Sequence, residues 1–402
     1  MAQEKEIKNF VFNYTDGTSK TVEKGFFCHI KDEPNGESTL SFEFVGVSGK
    51  DLTQIVLGCV ELGTRLGMFD KKGKRGNKRM SNTKESIVLK YDDMGIPSIM
   101  LKVENTAKTP EEADRMFFVR GVEYDSIYLS QFVNCIRNGR AYSLPAVDPA
   151  VRINFDEAIA ACKRKGRGWH LLTWAEWKYI REHTIPDIHG NTSFGKYHND
   201  ETEIGIGVVN CGRTLTGTGP ANWFHNGNKE TGIADVVGNV WKMIAGLRLK
   251  SGVIQYMPDN DAAAPDADLS ISSEEFQEVH VDDLPFPDPV RIGANEDGEL
   301  VITTDKEKVG GWAGGMRSET YVNLTEVPQI LKDLGIITDD MKENSEWLSA
   351  DADLEEATPF VGGSYLGASG AGPSALGLSD ERSGVWTNLG FFSACLGEPV
   401  RR

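Results

Sequence analysis

Long apolar runs are missing from this sequence. Nowhere do about 18 consecutive apolar residues occur, so no segment has the reach of a membrane-spanning helix. The opening Met-Ala-Gln-Glu-Lys-Glu lacks the basic and then apolar order of a secretory signal, so no Sec export is expected and the product is placed in the cytoplasm before any release. Cysteines are few and scattered: Cys28, Cys59, Cys135, Cys162, Cys211 and Cys395 form no Cys-x-x-Cys pair. That excludes a zinc site or a disulfide framework and leaves reduced, small apolar side chains. Positive charge is in deficit, 43 Lys and Arg against 60 Asp and Glu for a net charge of −17. Such a field opposes a phosphate-binding surface, so no nucleic-acid partner is expected. There is no Gly-x-Ser-x-Gly elbow, phosphate loop or dinucleotide fingerprint, and no side chain is singled out as catalytic.

What is present is a globular composition, 39% hydrophobic and 26% charged with 43 Gly and only 16 Pro, which excludes collagen, coiled-coil and wholly disordered classes. The length of 402 residues predicts two domains of α+β class. In the first, 1–115, strand-like runs Ile7 to Tyr14, Phe26 to Ile30 and Leu40 to Val47 are separated by Asp16-Gly17 and Pro34-Asn35-Gly36 turns. Leu52, Ile55, Val56, Cys59, Leu62 and Leu66 then recur at three and four, which predicts a helix. Strands follow at Ser86 to Tyr91 and Ile96 to Val103, and Thr109-Pro110-Glu111-Glu112 reads as a short capped helix leading out. The basic run from Lys71 to Arg79 has no interleaved aromatic and reads as a solvated hairpin tip rather than a strand-binding loop.

The second domain, 116–402, contains all the tryptophans, from Trp169 to Trp386, and little helical periodicity. One helix is predicted from Ser126 to Ile136. A second is capped by Asn154, with Asp156 and Glu157 in its first turn, and a third begins with the capping box Thr173-Trp174-Ala175-Glu176. An acidic stretch from Asp259 to Asp288 holds no Lys or Arg; it reads as a solvated loop, and calcium is the one ion its carboxylates leave open. His170, between Trp169 and Leu171, reads as a satisfied buried histidine, and none of the histidines pairs at a metal-binding spacing.

Five segments in order carry a resemblance. They are Phe117-Phe118-Val119-Arg120-Gly121-Val122-Glu123-Tyr124, then Arg152 to Ala158, then Gly168 to Trp177, then Gly232 to Trp241, and finally Gly362-Gly363-Ser364-Tyr365. This series resembles the formylglycine-generating enzyme (sulfatase-modifying factor) family, a variant of the C-type lectin fold. The resemblance implies that Thr173, Glu176, Trp177, Gly238, Asn239, Trp241, Gly362 and Gly363 are scaffold: helix starts, tight turns and large indoles filling a core poor in regular structure. The family's oxidases hold copper with two neighbouring cysteines near the C-terminal end, where this chain has Cys395 alone. Its calcium position after Gly-Asn-x-Trp is usually acidic and here is Lys242. No cofactor or metal is therefore expected.

The segment 362–394 looks like the hypervariable region of diversity-generating retroelement target proteins, in which a reverse transcriptase rewrites chosen codons and the C-type-lectin-like fold displays the result. Gly246-Leu247-Arg248-Leu249 and Met257 to Ala263 resemble that group as well. The implied ligand-binding surface is Tyr365, Leu366, Ser369, Ser374, Ser379, Asp380, Ser383, Val385, Trp386, Asn388 and Phe392, a mixture of rigid aromatics and small polar groups that recognition loops favour. The expected function is non-catalytic: a phage tail or surface adhesin, virion-borne in the first case, whose partner is a protein or glycan on a cell surface. Many copies would raise weak single-site binding, so a homo-oligomer is compatible with the reading. The competing classes are an oxidase with a displaced active site and a purely structural particle protein.

Overall fold

The computed structural model describes residues 10–32, 38–45, 82–193, 204–281 and 288–400. The predicted helix from Leu52 to Leu66, the basic run 71–79, His198, Asp282 and Asp283 lie outside the described residues. The structure is mixed and mostly sheet, with few helices. Two compact units divide at Met80/Ser81.

In the first unit, Phe10–Asn13, within the expected run Ile7 to Tyr14, turns at the expected Asp16-Gly17, but its partner is Ser19–Val22, a strand not expected from the sequence. The Asp16 carboxylate accepts from the Thr18 amide and hydroxyl, and Gly17 takes the left-handed φ of +86° that this turn needs. Gly25–Asp32 and Ser38–Val45 form a second antiparallel pair.

The second unit begins earlier than position 116. Thr83–Tyr91 and Pro97–Asn105 form a hairpin whose second strand pairs with Ser126–Ser130, in register Met100 to Ser130 and Val103 to Ile127. They are the outer strands of a five-stranded sheet completed by Ser393–Leu396 and Trp169–Leu171. Met100, Leu101 and Val103 are all fully buried, and so are Ile127 and Leu129, so both faces of these two neighbouring strands are covered. The boundary of the compact units therefore falls at about residue 80, and this hairpin belongs to the C-terminal unit.

The same double burial corrects the helix predicted over 126–136. Ser126–Ser130 is a strand, and Cys135–Arg137 starts a separate hairpin. A strand covered on both faces loses its period-two alternation and reads as a buried helix. Thr109–Glu112 is a pair of turns; the short 3₁₀ helix is Arg115–Phe117, capped by Asp114.

The two remaining helices form where their caps place them. Asn154 and Glu157 exchange backbone-to-side-chain bonds of 2.9 Å at the start of Phe155–Lys163. Thr173 and Glu176 do the same before Trp174–Glu182, at 3.2 and 3.0 Å. Glu176 also meets His170 Nε2 at 2.8 Å, and His170 Nδ1 lies 2.8 Å from the Gly168 carbonyl, so both ring nitrogens are paired in the interior. Trp177 is buried and its indole N–H donates to the Pro373 carbonyl, tying the helix to the C-terminal segment.

A second, larger sheet runs from Trp312–Met316 through Trp347–Asp351, Leu376–Glu381 and Ala357–Val361 to Leu247–Lys250 and beyond. Trp241–Met243 sits between Ala357–Val361 and Leu389–Phe391. One continuous core, including Phe117, Trp177, Leu249, Leu348, Leu378 and Phe391, underlies both sheets.

The acidic stretch is more than a solvated loop. Asp259 is paired with Arg115 at 2.7 and 2.5 Å, and Arg120 is paired with Asp266 and Glu275 at 2.9 Å each. These carboxylates neutralise two arginines of the neighbouring segment.

Candidate functional site: an aromatic pocket on the large sheet

Four strands of the large sheet build a concave floor. Gly314 pairs with Ser349, Ser349 with Gly377, and Ser349 Oγ lies 3.1 Å from Ser379 Oγ. The floor is low because its residues are Gly or Ser. A Cβ on Gly314 would stand 2.9 Å from the Trp347 ring and 3.1 Å from the Trp312 ring, and one on Gly377 would meet the Phe360 ring at 2.1 Å. Glycine thus makes the space into which these rings fold.

The walls are aromatic. Trp312 and Trp347 approach each other above Gly314, while Trp241 and Phe360 meet edge-to-face, centroids 5.0 Å apart at 82°. Ser364, Leu366, Gly367, Gly370 and Asn388 complete the lining. The cavity is about 340 Å³ and, among the described residues, no ionisable side chain lines it. Ser364 Oγ accepts from the Leu366 amide at 3.3 Å and from Asn388 Nδ2 at 3.2 Å.

Three of the expected binding residues, Leu366, Ser379 and Asn388, line this pocket. Ser369, Ser383, Val385 and Trp386 are exposed nearby in sequence but do not line it. Asp380 is half-buried; burial raises its carboxyl above the usual range and the Trp386 indole beside it acts in the opposite sense. Two expected surface residues are interior. Tyr365 is 7% exposed, packed so closely on Gly212 that a Cβ there would sit 2.2 Å from the ring, and Phe392 is 1% exposed in the core. Ser374 is an anchor: its amide donates to Glu346 at 2.5 Å and its carbonyl accepts from the buried Arg317.

The scaffold residues position the pocket. Gly238 and Asn239 both have left-handed φ, +71° and +59°, and the Asn239 amide is paired with the Thr214 backbone at 3.0 and 3.1 Å. This turn feeds Trp241 into the pocket wall. Gly362 and Gly363 have φ of +84° and +76°; a Cβ on Gly362 would lie 2.9 Å from Lys242 Nζ. Lys242 is fully buried, and its ammonium donates to the carbonyls of Val236 and Gly238.

Trp312, Trp347, Phe360 and Ser349 were not foreseen as site residues. The signal is Gly310-Gly311-Trp312-Ala313-Gly314-Gly315, an indole flanked by glycines on both sides. Cys395 is 2% exposed and burial pushes its thiol up to about 11, which disfavours the thiolate a soft metal needs. Among the described residues, no group of three His, Cys, Asp or Glu is placed to hold a metal ion, and no helix is long and apolar enough to cross a membrane. No protein-family model matches the chain, and no curated protein matches it either.

Proposed function

We propose that the chain is a non-catalytic ligand-binding protein whose segment 362–394 shapes a recognition pocket on a C-type-lectin-like domain of the diversity-generating retroelement kind. The observation that carries the reading is the pocket itself: three indoles and a phenyl ring over a floor of glycine and serine, with Leu366, Ser379 and Asn388 supplied by the segment. Indole-rich, desolvated hollows are where binding energy concentrates. Supporting it, Trp177, Arg317 and Glu346 pin the backbone of the segment at Pro373 and Ser374, so exposed side chains can change over a fixed base. The expected partner is a protein or glycan on a cell surface, with the chain serving as a phage tail or surface adhesin.

The test is adhesion of the labelled full-length protein to a panel of cells, comparing it with Trp312→Ala and Asn388→Ala. Adhesion lost at an unchanged melting temperature supports the reading; adhesion indifferent to both changes rejects it. Independently, DNA beside the gene should hold an imperfect repeat of the codons for this segment, differing at adenines, next to a reverse transcriptase.

A further inference from the structure

The pocket has three properties that narrow its ligand. The first is the absence of charge among the described side chains that line it, in a protein whose net charge is −17. No cation is there to receive a phosphate, sulfate or carboxylate, and the protein's field repels anions. With no carboxylate among the described lining residues, the pocket offers a calcium ion no charged oxygen ligand either.

The second is its unspent hydrogen-bonding capacity. In the Ser349–Ser379 pair one hydroxyl donates to the other, which leaves one proton over. Ser364, only 1% exposed, accepts twice and so orients Asn388, which donates through Nδ2 while its Oδ1 is left to accept. The lining thus presents a donor and an acceptor together. A trimethylammonium group would be attracted by the rings, but on entry it would strip water from these groups and return no hydrogen bond.

The third is shape. At about 340 Å³ the cavity stands at the small end of the roughly 300–1,000 Å³ usual for small-molecule sites, suited to one ring unit rather than a length of peptide. Its lining holds four aromatic rings, complementary to a ligand with an apolar face and a polar edge.

Resting on the ligand-binding reading, we infer that the pocket takes a neutral sugar ring, its C–H face against the indoles and its hydroxyls on Ser379 and Asn388, without a metal ion. The ring is the exposed residue of a larger glycan.

The experiment uses the full-length protein in two assays, intrinsic tryptophan fluorescence with methyl glycosides of glucose, galactose, mannose and N-acetylglucosamine, and an array of neutral and acidic glycans. Choline is titrated as a comparator, and every binding measurement is repeated in EDTA. The expected result is saturable binding of at least one neutral glycan, unchanged by EDTA and weakened about tenfold or more by Trp312→Ala, the scale of a hot-spot truncation. Trp312 is 56% exposed, so this variant keeps its fold. Asn388→Asp, which adds charge at nearly constant shape, should weaken the same glycan. Binding only of choline or of acidic glycans, binding abolished by EDTA, or no binding by any glycan overturns the inference. If no glycan binds while cell adhesion still depends on Trp312, the sugar assignment falls and the ligand-binding reading stands. If adhesion ignores Trp312 as well, both fall.

Discussion

Lys242 Nζ lies 2.8 Å from the carbonyl oxygen of Gly238, and the same ammonium is 3.1 Å from that of Val236. Both carbonyls belong to the turn that delivers Trp241 to the pocket, so a buried side-chain cation holds that turn. Burial pushes the Lys242 ammonium down and the buried Asp235 carboxyl up, while their mutual attraction opposes both shifts. Asp235 in turn accepts from the Gly217 amide at 3.0 Å.

Removing this cation should be costly. Lys242→Ala leaves two carbonyls and Asp235 without it, and loss of one partner from a buried charged set typically costs about 3–5 kcal/mol. Chemical denaturation should show that loss, whereas Lys306→Ala, on the exposed 3₁₀ turn Lys306–Lys308, should change stability by less than about 0.5 kcal/mol. A small effect at Lys242 would mean that water can replace the ammonium.

The parts of this architecture that are legible in the sequence are those decided within a few residues. Asn154 with Glu157 and Thr173 with Glu176 identify their helices because a cap is satisfied three residues away. The strand at Ser126–Ser130 is misread because its apolar character comes from two layers packed on it, a fact about other segments. Tyr365 and Phe392 look like display residues beside Trp386, yet Tyr365 is covered by Gly212, some 150 residues away in the chain. The pocket is half visible: Leu366, Ser379 and Asn388 belong to a recognisable segment and Trp312 stands among glycines, whereas Trp347 has no such local signal and meets Trp312 only through sheet pairing.

Lys165 gives a pH-dependent expectation. It is fully buried, its ammonium donates to Ser98 Oγ at 2.8 Å and lies 3.2 Å from the centroid of the Trp169 ring, and burial lowers it to about 7. The unfolded chain binds this proton up to about pH 10.4. Between pH 7 and that value the unfolded state therefore holds more protons, so stability rises with pH; below 7 the full cost of burying the charge is present. Lys165→Met should accordingly raise the melting temperature relative to the parent by more at pH 6 than at pH 9. An equal difference at both values would show that the ammonium is as well solvated inside as outside.

The pocket floor predicts a separation of binding from folding. Gly377→Ala drives a methyl group into the Phe360 ring at 2.1 Å and should destabilise by about 1–3 kcal/mol, as overpacking does. Gly314→Ala meets Ser349 Cβ and the Trp347 ring at 2.9 Å and the Trp312 ring at 3.1 Å, milder approaches that a small strand shift and an outward swing of the half-buried and exposed indoles can relieve. Its denaturation midpoint should stay near that of the parent while the pocket loses volume and ligand. Equal destabilisation by the two changes would place the Trp312–Trp347 contact in the core.

A surface that exchanges side chains must carry little of the stability of the fold, and the segment 362–394 divides on this point. Val385 and Trp386 are 53% and 52% exposed, and Ser369 and Ser383 are also exposed. The backbone beneath Trp386 is fixed independently, because the Arg152 amide donates to its carbonyl at 2.9 Å. Trp386→Ala and Val385→Ser should therefore each shift stability by no more than about 0.5 kcal/mol. Tyr365→Ala and Phe392→Ala should cost about 3–5 kcal/mol, since each empties a packed site. Denaturant titration of the four variants decides the matter, and the slope of each transition should match the parent. If Trp386→Ala proves as damaging as Phe392→Ala, the exposed indole is a structural element of the chain, and the segment cannot tolerate the exchange of residues that the display reading requires.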